Sequence, residues 1–418
     1  MKSKSSRHFI IFIVFCLFFV AVLTVSFLSA ILTFSQRGRM AYGLEFEGTP
    51  LTGMTQENAA RLFERAAQQK LSRNAVLLSY EQHSWSITAQ EIGLTADIAA
   101  TVQEAYAIGR SGSLLQNLCD NIRCALNGRS VRLITHYDEA ALQFALDAIA
   151  ARIDRPAEDA ACFFGPNGQI QRQPAVIGRK VDTRALAEHF RPQLLALSLP
   201  QRATIEPDKE YPPISDEDLA AIDSVLASYT TFFGEGGNRG ENIHIAAEAL
   251  SQSFIPAGEE FSFNDAVGGR VASAGYLNAP VIINGKVEQD IGGGVCQVSS
   301  TLYNAILLAG LTPTERTAHF YPSSYVPAGL DATVADGQID FCFRNDLPHN
   351  VYLLTSTADG ALTIYVLGTR ADLENDDIRL ETAIEGPGPT VSAWRIYSRY
   401  GQELTREHLH TETYDTPE

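Results

Sequence analysis

Residues Asp290–Gly310 read D-I-G-G-G-V-C-Q-V-S-S-T-L-Y-N-A-I-L-L-A-G. Three glycines run directly into a cysteine. Beyond it Val298, Leu302, Ala305, Ile306 and Ala309 recur at helical spacing and share one face. Cys296, Ser300, Tyr303 and Leu307 fall on a second face. The pattern predicts a helix that buries one side and presents the other, with Cys296 in its first turn. Two readings of the glycine–cysteine junction stay open. In one, the unpaired N–H groups of the first turn stabilise a thiolate, lowering the thiol pKa from ~8.5. The amides of Gly292, Gly293 and Gly294 then hold an oxyanion while a substrate chain lies against them. In the other, Cys296 is a small buried residue, and the glycines ease a tight strand-to-helix turn.

A thiol nucleophile needs a base and a group that orients it. The nearest downstream histidine is His319, in R-T-A-H-F-Y-P-S-S-Y-V-P-A-G-L-D, and Asp331 follows twelve residues later. Cys296, His319 and Asp331 are therefore the candidate catalytic set. Gly292, Gly293, Gly294, Gln297 and Ser300 are the candidate substrate-binding set. The chain has no C-x-x-C pair and no H-x-x-x-H pair, so neither a metal nor another cofactor is expected.

Outward from this stretch, composition narrows the class. The chain has 418 residues, which argues for two or three domains. Hydrophobic residues make up 45%, which excludes wholesale disorder. The formal net charge of −17 leaves no basic surplus to neutralise phosphates, so no nucleic-acid partner is expected. The N-terminus differs in kind. Lys2, Lys4 and Arg7 precede an uncharged run from Phe9 to Phe34, and Arg37 and Arg39 follow. At helical rise the run spans about 39 Å, enough to cross a hydrocarbon core of about 30 Å with tilt. It is longer than a secretory signal core and lacks a clear A-x-A site. An uncleaved signal anchor is the expectation, with a cleaved signal as the alternative. Five cysteines lie outside this run, an odd number that does not make a disulfide framework. Cys119 and Cys124 could pair, but a five-residue step on a helix points them apart.

Residues 41–206 mix helix and strand. Thr55 is a plausible cap for a helix to Gln69, followed by the strand-like A-V-L-L-S-Y and S-W-S-I-T. I-G-L-T-A-D at Ile92–Asp97 and I-G-R-K-V-D at Ile177–Asp182 share a frame, and each precedes a helical run. A strand, a glycine turn and an aspartate cap explain the frame, and the repetition suggests a duplicated α+β unit. Pro207–Pro213, P-D-K-E-Y-P-P, reads as a linker. Farther on, A-P-V-I-I-N-G-K-V carries a turn signal at Asn284–Gly285. Residues 369–418 are mostly polar. Their Ser392–Glu403 stretch reads as a strand entering a turn, and the last dozen residues read as loose.

Several ordered motifs carry a family likeness. N-R-G-E-N-I-H-I-A-A-E-A-L, P-A-G-E-E-F-S-F-N-D-A-V-G, G-Y-L-N-A-P-V-I-I-N-G, G-G-G-V-C-Q-V-S-S-T-L-Y-N-A and H-F-Y-P-S-S-Y-V-P-A-G-L-D-A-T-V together resemble the VanW family. The upstream region resembles the peptidoglycan-binding module that often precedes a VanW domain. Where relatives often read R-H-P-H-S, this chain has R-T-A-H-F, so a mechanism here has His319 alone to use. The resemblance implies a bacterial cell-envelope protein whose partner is peptidoglycan or a wall precursor. It supplies a place and a partner and leaves the reaction open between binding alone and a thiol hydrolase or transferase acting on a wall-peptide amide. The expected architecture is α+β. It comprises a cytoplasmic tail (1–8), a membrane-spanning signal anchor (9–34), a peptidoglycan-binding region (41–206), a linker (207–224), a VanW-like domain (225–368) and a β-rich extension (369–418). The bulk of the chain is expected outside the cell membrane.

Overall fold

The computed structural model describes residues 3–35, 37–234, 236–283, 286–374, 377–386 and 388–415. It is a mixed α+β structure and divides into two compact units. One comprises Met1–Pro156 with Gly178–Glu210, the other Ala157–Ile177 with Tyr211–Glu418.

The first unit begins with α1, Ser3–Ser35, in which Phe9–Phe27 is long and apolar enough to cross a membrane. Its folded part has two cores. Met40, Leu44, Phe46 and Leu51 close over Phe63 of α2, Gln56–Leu71, and make the first. The Thr55 side chain accepts from the Asn58 N–H and starts this helix as its sequence indicates. The next helices are α3 (Ile98–Ala107), α4 (Leu114–Asn127), α5 (Glu139–Ala150) and α6 (Thr183–Leu195). The second core joins Leu142 and Leu146 of α5 and Phe190 and Leu194 of α6 to Val76, Leu78 and Ile87. Those last three lie on a three-stranded sheet in which Asn74–Tyr80 pairs antiparallel with His83–Thr88 and parallel with Gln201–Thr204.

The two I-G-x-x-x-D frames end alike. Asp97 accepts from the Ala100 N–H to cap α3, and Asp182 accepts from the Ala185 N–H to cap α6. Upstream the likeness stops. The second hairpin, Ala161–Phe164 with Ile170–Gln173, belongs to the other unit, where Cys162 is buried with Leu219, Ile222 and Tyr352. Part of the stretch read as a linker is a strand, Asp208–Glu210, paired with Gly178–Lys180. Cys119 and Cys124 are free thiols, one exposed and one buried.

In the second unit, Ser224–Phe232, Ala361–Gly368, Val351–Ala358 and Phe254–Ile255 form a four-stranded antiparallel sheet in that order. Two helices pack on it, α7 (Gly237–Leu250) and α9 (Val295–Leu308), with the short α8 (Phe263–Val267) beside α7. Asn278–Ile283 and Lys286–Ile291 make the hairpin leading to α9, and the Asn284–Gly285 turn expected there lies outside the described residues. A final three-stranded sheet, Asp377–Ile384, Thr390–Arg399 and Gln402–Thr413, closes over α9.

That closure corrects two expectations. First, α9 does not present a face to solvent. Its residues from Gln297 to Leu307 are all buried, because the C-terminal sheet and the 325–334 segment cover the side away from the four-stranded sheet. Second, the described part of the last dozen residues is not loose. Its strand runs to Thr413, and Tyr414 is 2% exposed. The stretch looks polar because its solvent face carries ion pairs, such as Arg406 with Glu381 of another strand and with Glu403 of its own. The inward face carries Arg395, whose Nη1 donates to Leu311 O at 2.6 Å just past the end of α9. Its Nε donates to Glu407. A cation there suits the negative end of the helix dipole.

Candidate functional site

The site is built by α9 and by the extended segment that runs beside it. Cys296, Ser300 and Asn304 form one stripe at four-residue intervals, about 6 Å per step. Alternate residues of an extended chain repeat at about 6.6 Å. The two rulers nearly match, and the contacts follow. Asn304 Nδ2 donates to Leu330 O at 2.7 Å. Ser300 Oγ accepts from the Ala332 N–H at 2.9 Å, and Ser299 Oγ donates to Ala332 O at 2.7 Å. Cys296 Sγ lies 3.5 Å from Val334 O. The polar residues of α9 thus fix the segment that carries Asp331.

Asp331 is 1% exposed and held from four directions. His319 donates to Oδ2 twice, from its backbone N–H at 2.7 Å and from Nδ1 at 2.6 Å. Tyr414 donates its hydroxyl to Oδ1 at 2.6 Å, and Arg316 approaches Oδ1 at 3.2 Å. The same imidazole stabilises the charged form of the Cys296 thiol, and the thiolate in turn stabilises the imidazolium. The structure thus brings the sequence-predicted Cys296, His319 and Asp331 together. Tyr414 and Arg316 were missed. Tyr414 lies 83 residues from its partner, and only its place after an alternating strand could have hinted that it points inward.

The electrostatics follow from this geometry. Burial alone would raise the Asp331 pKa, but the hydrogen bonds from His319 and Tyr414 and the charge of Arg316 bring it down to about 2. Burial alone would depress His319. Its bonds to Asp331 and to the thiol, with two negative partners, raise it to about 9. Burial would raise Cys296, and the hydrogen bond and charge of His319 outweigh it, so the thiol is pushed down. The contrast within the chain is sharp. Burial pushes up the thiols of Cys124, Cys162 and Cys342, the last to about 12. Cys296 keeps part of its surface in solvent, and His319 is 17% exposed. Cys296 thus differs from those three in both the direction of its shift and its exposure. Val295 and Gln297 donate their N–H groups to Gly292 O and Gly294 O. Among the described hydrogen bonds the Cys296 N–H takes no backbone partner, as befits a donor in the first turn of a helix.

The substrate-binding set fares differently. Gln297 is fully buried, accepting from Arg239 Nη2 at 2.7 Å and donating to Thr231 Oγ1 at 2.9 Å. Ser300 is fully buried and holds Ala332. Both side chains serve the scaffold, because a helix covered on all sides has only its N-terminal edge to offer. The glycines admit the chain's own backbone. A Cβ on Gly293 would sit 2.7 Å from Pro280 O and 2.8 Å from Ala279 O, and Gly292 and Gly294 adopt φ of +85° and +112°. The two readings of the junction are compatible: the glycines ease a crowded turn, and the thiol they deliver is perturbed. Gly293→Ala is expected to destabilise the fold by about 1–3 kcal/mol in chemical denaturation. Gly388→Ala, where a Cβ meets open space, is expected to change it by less than about 0.5 kcal/mol. Among the described residues no cluster of three or more His, Cys, Asp or Glu could hold a metal ion.

An α+β unit thus gathers a thiol, an imidazole and a carboxylate near a helix N-terminus. Comparison with known proteins places the chain. Residues 238–367 match the family model described as "VanW like protein", and residues 85–199 match the one described as "Putative peptidoglycan binding domain". The uncharacterized protein YoaR of Bacillus subtilis (strain 168) is 34% identical over 208 residues, 49% of this chain and 68% of YoaR. The vancomycin B-type resistance protein VanW of Enterococcus faecalis (strain ATCC 700802 / V583) is 35% identical over 114 residues, 26% of this chain and 42% of that one. No solved structure matches. The chain belongs to the VanW family. Tyr414 and Arg395 lie beyond the part that the family model covers.

Proposed function

We propose that this protein is tethered by α1 at the outer face of a bacterial membrane, binds peptidoglycan through the 85–199 region, and uses Cys296 to attack an amide of the wall peptide. Support for the location comes from the apolar N-terminal helix and the peptidoglycan-binding match. The observation that carries the chemistry is the Cys296–His319–Asp331 relay, with its thiol pushed down and its imidazole raised.

In the first half-reaction the Cys296 thiolate adds to the carbonyl carbon. The Cys296 N–H is the nearest donor for the oxyanion. The His319 imidazolium then gives its proton to the leaving nitrogen, the C–N bond breaks, and a thioester with a free amine results. In the second half-reaction a water or an amine adds to the thioester, His319 takes its proton, and the thiolate leaves. Water gives hydrolysis and an amine gives transfer. Asp331 stays ionised throughout and holds the imidazole in its tautomer.

The test is the intermediate. Incubating the full chain with a soluble wall stem peptide should add an acyl mass to the peptide carrying Cys296. No adduct on the wild-type chain at any pH between 5 and 9 would remove the enzymatic reading. Sedimentation of the same chain with purified sacculi tests the binding half separately, and a chain that stays in the supernatant would remove that.

A further inference from the structure

Four arginines of the C-terminal unit are largely withdrawn from solvent around α9, and three have carboxylate partners. Arg316 meets Asp331 and Glu412, Arg395 meets Glu407, and Arg270, its side chain 8% exposed, meets Asp336. The fourth is Arg239, in the first turn of α7. Among the described residues it makes no ion pair, and its printed side-chain hydrogen bond runs from Nη2 to the neutral Oε1 of Gln297 at 2.7 Å. Its aliphatic stem crosses Gly294, whose added Cβ would lie 3.0 Å from Arg239 Cγ. The guanidinium thus ends between Gly294 and Gln297, the residues that bracket Val295 and Cys296. It lies within electrostatic reach of Cys296 and Tyr325.

Among the described residues Arg239 alone of these four arginines has no carboxylate partner: Arg316 meets Asp331 and Glu412, Arg395 meets Glu407, and Arg270 meets Asp336. A half-buried guanidinium whose printed hydrogen bond is to a neutral amide keeps donors to offer, and burial pulls its pKa down. Its planar fork of donors matches a carboxylate. Wall stem peptides end in one, and a carboxylate next to the scissile amide would arrive within reach of both groups.

We propose that Arg239 is a specificity residue that receives a free carboxylate of the substrate peptide beside the amide that Cys296 attacks. This rests on the reading of the site as one that acts on wall peptides, so its test separates binding from chemistry. Two N-acetylated stem peptides are compared, identical except that one ends in a free carboxylate and the other in a carboxamide. Binding is measured by calorimetry to the full chain carrying Cys296→Ala, and to the same chain carrying Arg239→Gln as well. The carboxylate peptide is expected to bind about tenfold tighter, with the preference falling to within about twofold in the double variant. Arg239→Lys keeps the charge without the fork and should fall between. Equal affinity for the two peptides, or none for either, overturns the assignment, as does a preference that survives Arg239→Gln. Should the double variant fail to fold, the comparison of the two peptides on Cys296→Ala still decides. Acylation of the wild-type chain is read independently. An adduct without a carboxylate preference sinks Arg239 and spares the chemistry. A preference without an adduct does the reverse.

Discussion

Replacing Cys296 with alanine is expected to abolish acylation by wall peptides, lowering the rate of amine release by at least about 10⁴-fold. The circular dichroism spectrum should stay unchanged. The size of the effect follows from the role: without sulfur there is no thioester, and nothing else in the turn can take its place. Ser300 is buried against Ala332, and Gln297 is committed to Arg239 and Thr231. The fold should tolerate the change, because α9 is anchored elsewhere. Its core side carries Val298, Leu302 and Ile306, Asn304 holds Leu330, and Arg395 closes its far end. His319→Ala should cost nearly as much, since nucleophile and base act as a unit, and the double variant should be little worse than either. Measured amine release that survives Cys296→Ala would place the chemistry elsewhere.

Asp331→Ala is the second large effect, and it falls on stability as well as on rate. The carboxylate is 1% exposed and satisfies His319, Arg316 and Tyr414 together. Removing it leaves the buried donors of His319 and Tyr414 without their acceptor, while Arg316 keeps Glu412, an expected loss of about 3 kcal/mol in urea denaturation. Tyr414→Phe removes one donor to Asp331 and the acceptor for the Gly329 N–H, for about 1–2 kcal/mol. The pH dependence has a definite sign. Asp331 is depressed to about 2, so its contribution is complete above the ordinary carboxylate pKa of about 4 and is lost as pH falls toward 2. His319 is raised to about 9, so its contribution is complete below about 6.5 and is lost as pH rises through 9. Cys296 acts with the opposite sign: it is ionised in the folded chain and protonated in the unfolded one, so the two proton counts cancel between about pH 6.5 and the ordinary thiol value of about 8.5. Thermal stability should be nearly flat across that window in the wild-type chain, and Cys296→Ala should expose a downward slope from His319 alone.

Cys296, His319 and Asp331, which the structure brings together, each sit in a local signal of the sequence. Glycines before a helical repeat mark Cys296, and one histidine in an aromatic–proline loop, with an aspartate twelve residues on, gives the rest. Helix caps were equally legible at Thr55, Asp97 and Asp182, since a cap is decided within four residues. What covers a helix is decided at long range. The serines and Asn304 of α9 look like a solvent face by composition, yet they hydrogen-bond a segment some 30 residues downstream and lie in the core. For the same reason Gln297 and Ser300 were assigned to a ligand when the scaffold needs them. The C-terminal strand misled in the opposite way. Its outward charges hid an inward row that ends at Tyr414, and period-two alternation in a polar sequence is easily taken for a loose end.

The central claim is that the Cys296 thiol is kept ionised by His319, and the rate of its alkylation against pH tests this most directly. The full chain is treated with iodoacetamide between pH 5 and 10, and labelling at Cys296 is read by mass spectrometry in wild type, in His319→Gln and in the denatured chain. The account predicts that the wild-type midpoint lies below the ordinary thiol value of about 8.5 shown by the denatured chain. His319→Gln should move it above that value, because burial, the largest influence on the thiol, then meets only the weaker opposition of Val334 and Arg270. A wild-type midpoint at or above the denatured one, or one that His319→Gln leaves in place, would contradict it.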